Sequence, residues 1–176
     1  MVAATTLIDS AQAAFERLFA AEYRRVVSVA FRITRDAAEA EDVAQDVFAK
    51  FARSARPNAD GASAWLHRAA VHTALNAIRS RRRRAEREAR EFRMRGPLEG
   101  GVDPHEEAER RAQAAALRAA LLRLDPKEAG ILALRYGGLS YREIADAAGI
   151  DAAQIGTRLA RAERALKREI ERETFG

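Results

Sequence analysis

Apolar residues recur along this chain at three- and four-residue steps, and no stretch alternates with a period of two for long enough to build a sheet. From residue 9 to about residue 33, Phe15, Leu18, Phe19, Val26, Val29, Ala30 and Ile33 keep mostly helical spacing. Asp36 and Glu39 then form a capping-box signature that opens a second helix, to about Arg53, with Val43, Val47, Phe48 and Phe51 on its apolar side. A long third helix is predicted from about Ala62 to Phe92. Its buried side runs along Trp65, Leu66, Ala69, Ala70, Thr73, Ala77 and Ile78, and its outward side along His67, Arg68, His72, Asn76 and Arg79. Asp103, Pro104 and Glu106 start a fourth helix carrying Leu117, Leu121, Leu122 and Leu124, and Asp125-Pro126-Lys127-Glu128 starts a fifth, to about Tyr136. The expected fold class is all-α.

Two breaks organise these helices. Ser54 to Gly61 is a loop by its Pro, Asn, Asp and Gly, and Gly96, Pro97, Gly100 and Gly101 end the helical pattern after Arg93. The second break reads as a short flexible linker. The chain therefore divides into a helical domain over residues 9–92, a linker over 93–104 and a second helical domain over 105–172.

The stretch Leu139–Leu166 carries the most complete set of local signals. Ser140 is an N-cap with Glu143 three residues on, and Leu139 and Ile144 can close a hydrophobic staple. Gly149 stands where a helix must stop, and Asp151, with Gln154 three residues on, restarts it beside a second staple of Ile150 and Ile155. Ile155, Leu159, Ala162, Leu166 and Ile170 make one buried stripe, while Gln154, Thr157, Arg158, Arg161, Arg164 and Arg168 lie opposite. This is a helix-turn-helix whose second helix presents the chemistry that reads a DNA major groove. The plainer reading is a helical hairpin with a solvated basic face.

Charge weighs against that plainer reading. The net +5 is local: residues 81–95 carry 8 Lys/Arg against 3 Asp/Glu, whereas residues 1–80 carry 10 against 9 and residues 96–176 carry 13 against 14. A confined basic run, Arg81 to Arg84, suits contact with a polyanion. The absence of cysteine excludes disulfides and thiolate metal sites. No apolar run is long enough to span a bilayer, and the N-terminus has no secretory-signal pattern, so no membrane insertion and a cytoplasmic location are expected. Glu39, Asp42, Gln45 and Asp46 share an acidic helix face. With His67 or His72 these carboxylates could suggest a metal-dependent nuclease, but a basic partner explains them more simply. No phosphate loop, nucleophile elbow or paired-histidine motif is present, and no cofactor, metal or catalytic residue is expected.

Three stretches, in order, resemble the extracytoplasmic-function (ECF) group of sigma-70 family RNA polymerase sigma factors. AEAEDVAQDVFAKF at 38–51 resembles region 2.2, AWLHRAAVHTALNAIRSRRRR at 64–84 resembles regions 2.3 and 2.4, and residues 122–166 resemble region 4. The resemblance runs from about Phe15 to Ile170. It implies that Glu39, Asp42, Gln45 and Asp46 dock on core RNA polymerase. It also implies that Trp65, Arg68, His72, Asn76, Arg79, Arg81 and Arg82 meet the minus-10 element of promoter DNA. Gln154, Thr157 and Arg161 would then reach base edges of the minus-35 element, with Arg158 and Arg164 at phosphates. An anti-sigma factor is a further expected partner. With the chain ending at Gly176, no appended C-terminal domain is expected. His72 and Asn76 depart from the family's usual melting-helix residues, and Gly156 and Ala160 stand where larger side chains are common, so the promoter preference is expected to be its own. A helix-turn-helix regulator that never joins polymerase is the alternative reading. It leaves the acidic helix and the Trp65–Arg84 segment without a role.

Overall fold

A computed structural model of the chain describes the backbone of residues 2–54, 61–95 and 105–175, and the side chains of residues 11–54, 61–90 and 108–172. Seven α-helices follow one another, and no strand occurs among the described residues: α1 (Val2–Thr34), α2 (Ala37–Arg53), α3 (Ala62–Arg95), α4 (His105–Arg123), α5 (Pro126–Tyr136), α6 (Tyr141–Ala148) and α7 (Ile155–Phe175). A single 3-10 turn, Ala152–Gln154, leads into α7. Most of the loop after Ser54, the Gly-rich linker and the Asp103-Pro104 start of α4 lie outside the described residues.

Local signals set most helix ends. At α2, Asp36 Oδ1 accepts from the backbone N–H of Glu39 at 3.1 Å, but Glu39 turns its own carboxylate to Arg81, so only half of the expected capping box forms. At α6 the box is complete: Glu143 N–H donates to Ser140 Oγ, and Ser140 N–H donates to Glu143 Oε2 at 2.8 Å. Gly149 ends α6 at φ 68°, ψ 40°, a left-handed conformation that costs a residue with a Cβ about 1 kcal/mol or more. Asp151 caps the 3-10 turn by accepting from Ala153 N–H at 2.8 Å.

Helices α1, α2 and α3 pack on one another, and α7 packs on α4, α5 and α6. The two halves also pack together, through α3 against α5 and α6 and through α1 against α5, so that one hydrophobic core runs through both. Glycines let the backbones approach. A Cβ at Gly137 would stand 2.6 Å from Val29 Cγ2, and one at Gly130 would stand 3.0 Å from Val71 Cγ1. Polar contacts tie the same seam: Arg118 Nη1 donates to Thr34 O at 3.2 Å, and Arg25 pairs with Glu143.

The buried side of α3 differs from the expected one. Leu66, His67, Ala70, Ala74, Leu75 and Ile78 are buried, while Trp65 is 40% exposed and Ala69, Thr73 and Ala77 lie at the margin. His67, expected outward, is 1% exposed. Helix α3 is covered from two directions, by α1 and α2 and by α5 and α6, which turns its buried arc about one residue around the helix from the stripe centred on Ala69 and Thr73.

Candidate functional site

The acidic side of α2 divides in two. Asp42, Gln45 and Asp46 are exposed, and Asp46 pairs along its own helix with Lys50. Glu39 is drawn aside: its Oε2 lies 2.8 Å from Arg81 Nη2, which also stands 3.3 Å from Asp36 Oδ2. Burial pushes the Glu39 carboxyl above its ordinary value, against the pull of Arg81. Asp36 is lowered, chiefly by the backbone N–H of Glu39. Arg81, expected on the DNA side, therefore joins the arginine run to the acidic helix. Its neighbour Arg82 pairs with Glu86 at 2.7 Å.

Along α3, an exposed row links His72 and Asn76, 3.3 Å apart, with Arg79, whose Nη1 donates to Asn76 Oδ1 at 3.2 Å. Trp65 leans on Phe51 with ring centroids 5.5 Å apart. Together with Arg68 it lines an open cleft of about 970 Å³, whose far wall includes Glu143 and Asp146 of α6. The Arg68 guanidinium spans to that wall. Its Nε donates to Ala147 O at 2.7 Å and its Nη2 to Asp146 O at 3.2 Å, carbonyls at the C-terminal end of α6 where a cation is favoured.

Beneath the cleft lies a network that sequence reasoning missed. His67 Nε2 stands 3.0 Å from Glu22 Oε2, Arg25 reaches Glu22 at 3.5 Å, and Arg25 also pairs with Glu143. Hydrogen bonds from Ser140, with Arg25 beside them, bring the Glu143 carboxyl down to about 2. Burial, opposed by the Glu22 carboxylate, holds the His67 imidazole below its ordinary value. A base depressed in this way is protonated more readily in the unfolded chain, so its contribution to stability is full above 6.5 and falls as pH drops below that value. The urea midpoint is therefore expected to be lower at about pH 5.5 than at about pH 7.5, with His67→Gln flattening the difference. An unchanged slope in that variant would assign the pH dependence to other groups.

Gln154, at the end of the 3-10 turn, and Thr157, Arg158, Arg161 and Arg164 on α7 are all exposed and bracket the buried Ile155, Leu159 and Ala162. The row is partly organised. Arg158 Nη2 donates to Gln154 Oε1 at 3.3 Å, Arg164 Nε donates to the carbonyl of Ala160 at 3.1 Å, and Arg161 Nε lies 2.7 Å from Glu128 Oε1 on α5. Gly156 is open, with a Cβ there reaching only the ring edge of Tyr141 at 3.8 Å. Among the described residues no three or more His, Cys, Asp or Glu gather in a way that could hold a metal ion, and no helix is long and apolar enough to cross a membrane.

This arrangement coincides with similarity over both halves. A family model described as Sigma-70 region 2 matches residues 18–84, and one described as Sigma-70, region 4 matches residues 114–166. The chain is 31% identical over 161 residues to RNA polymerase sigma factor YlaC of Bacillus subtilis (strain 168), an overlap of 88% of this chain and 91% of that protein. It is 33% identical over 161 residues to ECF RNA polymerase sigma factor SigM of Mycobacterium tuberculosis, covering 88% of this chain and 76% of that one. Among solved structures it is similar to the sigma factor RpoE of Bartonella quintana, crystallised with the anti-sigma factor NepR. That likeness has a TM-score of 0.47 and 20% identity, over 89% of this chain and 96% of that one.

Proposed function

The chain belongs to the ECF group of the sigma-70 family of RNA polymerase sigma factors, and from that membership we propose how its surfaces divide the work of starting transcription. It is an alternative sigma factor, binding core polymerase and directing it to promoters. The exposed part of the acidic α2 face, Asp42, Gln45 and Asp46 with Glu39 at its edge, docks on the clamp helices of the largest polymerase subunit. The α3 face from Trp65 through Arg68, His72, Asn76 and Arg79 to Arg82 meets the minus-10 element. There an aromatic ring and cations can hold unstacked bases and offset part of the melting cost of a few kcal/mol. Helix α7 lies in the major groove of the minus-35 element, with Gln154, Thr157 and Arg161 toward bases and Arg158 and Arg164 toward phosphates. The factor performs no chemistry itself and acts in the cytoplasm beside polymerase. An anti-sigma factor holds it in reserve.

The observation that carries this reading is the pair of family regions in order, residues 18–84 and 114–166, with the exposed Gln154–Arg161 row inside the second. A helix-turn-helix regulator acting without polymerase would use the α7 row alone. Run-off transcription with purified core polymerase on a library of promoter sequences tests the choice. A promoter-dependent product that disappears when Asp42 and Asp46 are both replaced by Lys supports the division of surfaces. Absence of any product with the wild-type chain would overturn it in favour of the regulator.

A further inference from the structure

The Arg161 side chain is 76% exposed, and its Nε lies 2.7 Å from Glu128 Oε1, an ion pair that biases its direction. Glu128 is a firm support. Its side chain is only 18% exposed and lies in the first turn of α5, where unpaired backbone N–H groups favour a carboxylate. That turn is itself set by the Asp125 N-cap and by Pro126, and the helix is anchored in the core by Ile131, Leu132 and Leu134. An exposed ion pair adds little to folding stability. What this one supplies is direction.

A guanidinium is a rigid planar fork with five N–H donors. An ion pair on the Nε side leaves the paired Nη groups available on another edge. Two parallel donors of that spacing match the O6 and N7 acceptors that guanine presents in the major groove. We propose that Glu128 is a positioning residue for promoter selection, holding Arg161 so that its free edge reads a guanine of the upstream element. The inference rests on the assignment of Arg161 to minus-35 DNA and adds to it the base that is read and the residue that aims the reader. Holding the arginine in place before binding also reduces the side-chain freedom lost on the DNA, which sharpens the preference for the matching base.

Glu128 has a second effect of opposite sign, and the two can be separated. Its carboxylate faces the surface that would approach phosphates, so removing it should tighten binding to arbitrary DNA while weakening discrimination at one position. Removal of a merely structural support would lower binding to all sequences together.

The test uses holoenzyme assembled from core polymerase and the full-length factor, with promoters randomised over the upstream element. Transcribed sequences are read out for the wild type, Arg161→Ala, Glu128→Ala and Glu128→Gln. In the wild type one position should prefer guanine, and Arg161→Ala should erase that preference. Glu128→Ala should reduce it by up to about fivefold, with other positions unchanged and retention on random DNA equal or higher. Glu128→Gln keeps an acceptor oxygen and should restore most of the preference. If Arg161→Ala removes a guanine preference but Glu128→Ala leaves it intact, or lowers all sequences equally, this inference is overturned and the α7 assignment stands. If Arg161→Ala removes a preference for a different base, the inference falls and the α7 assignment stands; if it changes no position, both fall.

Discussion

A factor carrying Val71→Cys and Gly130→Cys is expected to lose promoter-dependent transcription when oxidised and to regain it on reduction. A Cβ at Gly130 would stand 3.0 Å from Val71 Cγ1, close enough for a disulfide to join α3 to α5 with little movement. The natural chain has no cysteine, so no competing bridge can form. The expected loss follows from Arg68. Its guanidinium is committed to the Ala147 and Asp146 carbonyls of α6, on the far side of the Trp65 cleft. A side chain held there cannot meet minus-10 DNA, and two halves fixed against each other cannot span two separated promoter elements. In the unbridged protein the seam joins a shared hydrophobic core and polar contacts of moderate strength. Arg25 and Glu143 are 33% and 37% exposed, a pairing worth about 1 kcal/mol or less. The Arg68 hydrogen bonds contribute about 1.5–3 kcal/mol each before the charge's own desolvation is subtracted. Separating the halves also exposes apolar surface, so binding to polymerase must offset both. Full activity of the oxidised protein, with the bridge confirmed by mass, would show that the halves need not separate.

Arg161→Ala is expected to cut transcription from the cognate promoter strongly while leaving assembly with core polymerase intact. A bidentate arginine–guanine contact is worth about 1–3 kcal/mol, or roughly 5- to 150-fold in affinity. The side chain is mostly exposed and lies on α7, apart from the acidic α2 face, so truncation should change stability by no more than about 0.5 kcal/mol. Quantitative run-off transcription and a core-binding titration on the same preparation check both parts. Wild-type output with normal core binding would remove Arg161 from the recognition surface. Arg158 and Arg164 provide the contrast: truncating either phosphate-facing arginine should weaken all sequences alike and reduce the salt slope by about one.

Much of the candidate site was legible because its signals are local. Ser140 with Glu143, Gly149 and Asp151 act within a few residues of themselves, and the structure uses each as a cap or stop. The row from Gln154 to Arg164 follows from helical period alone once Ile155 and Leu159 are buried. On α3 the same period misled. Trp65, Leu66, Ala69, Val71, Ala74 and Leu75 point to most sides of the helix at about 100° per residue, so the pattern could not say which arc faces inward. Burial of His67 depends on Glu22, and the outward turn of Trp65 follows from the placement of Leu66 and Ala70 in the core. Both depend on neighbours distant in the chain.

The sequence by itself determined the succession of helices, the caps at Asp36, Asp125, Ser140 and Asp151 and which side chains of α7 face outward, because each depends on hydrogen bonds and periodicity within a few turns of chain. Only the tertiary structure decided that Glu128 supports Arg161, that Arg81 turns to Asp36 and Glu39, and that Arg68 is held on α6. Those pairings join residues 33 to 79 positions apart, and no local pattern encodes them. They exist because packing the apolar stripes brings those surfaces together, and the long cationic side chains then take whichever carboxylate or carbonyl lies within reach.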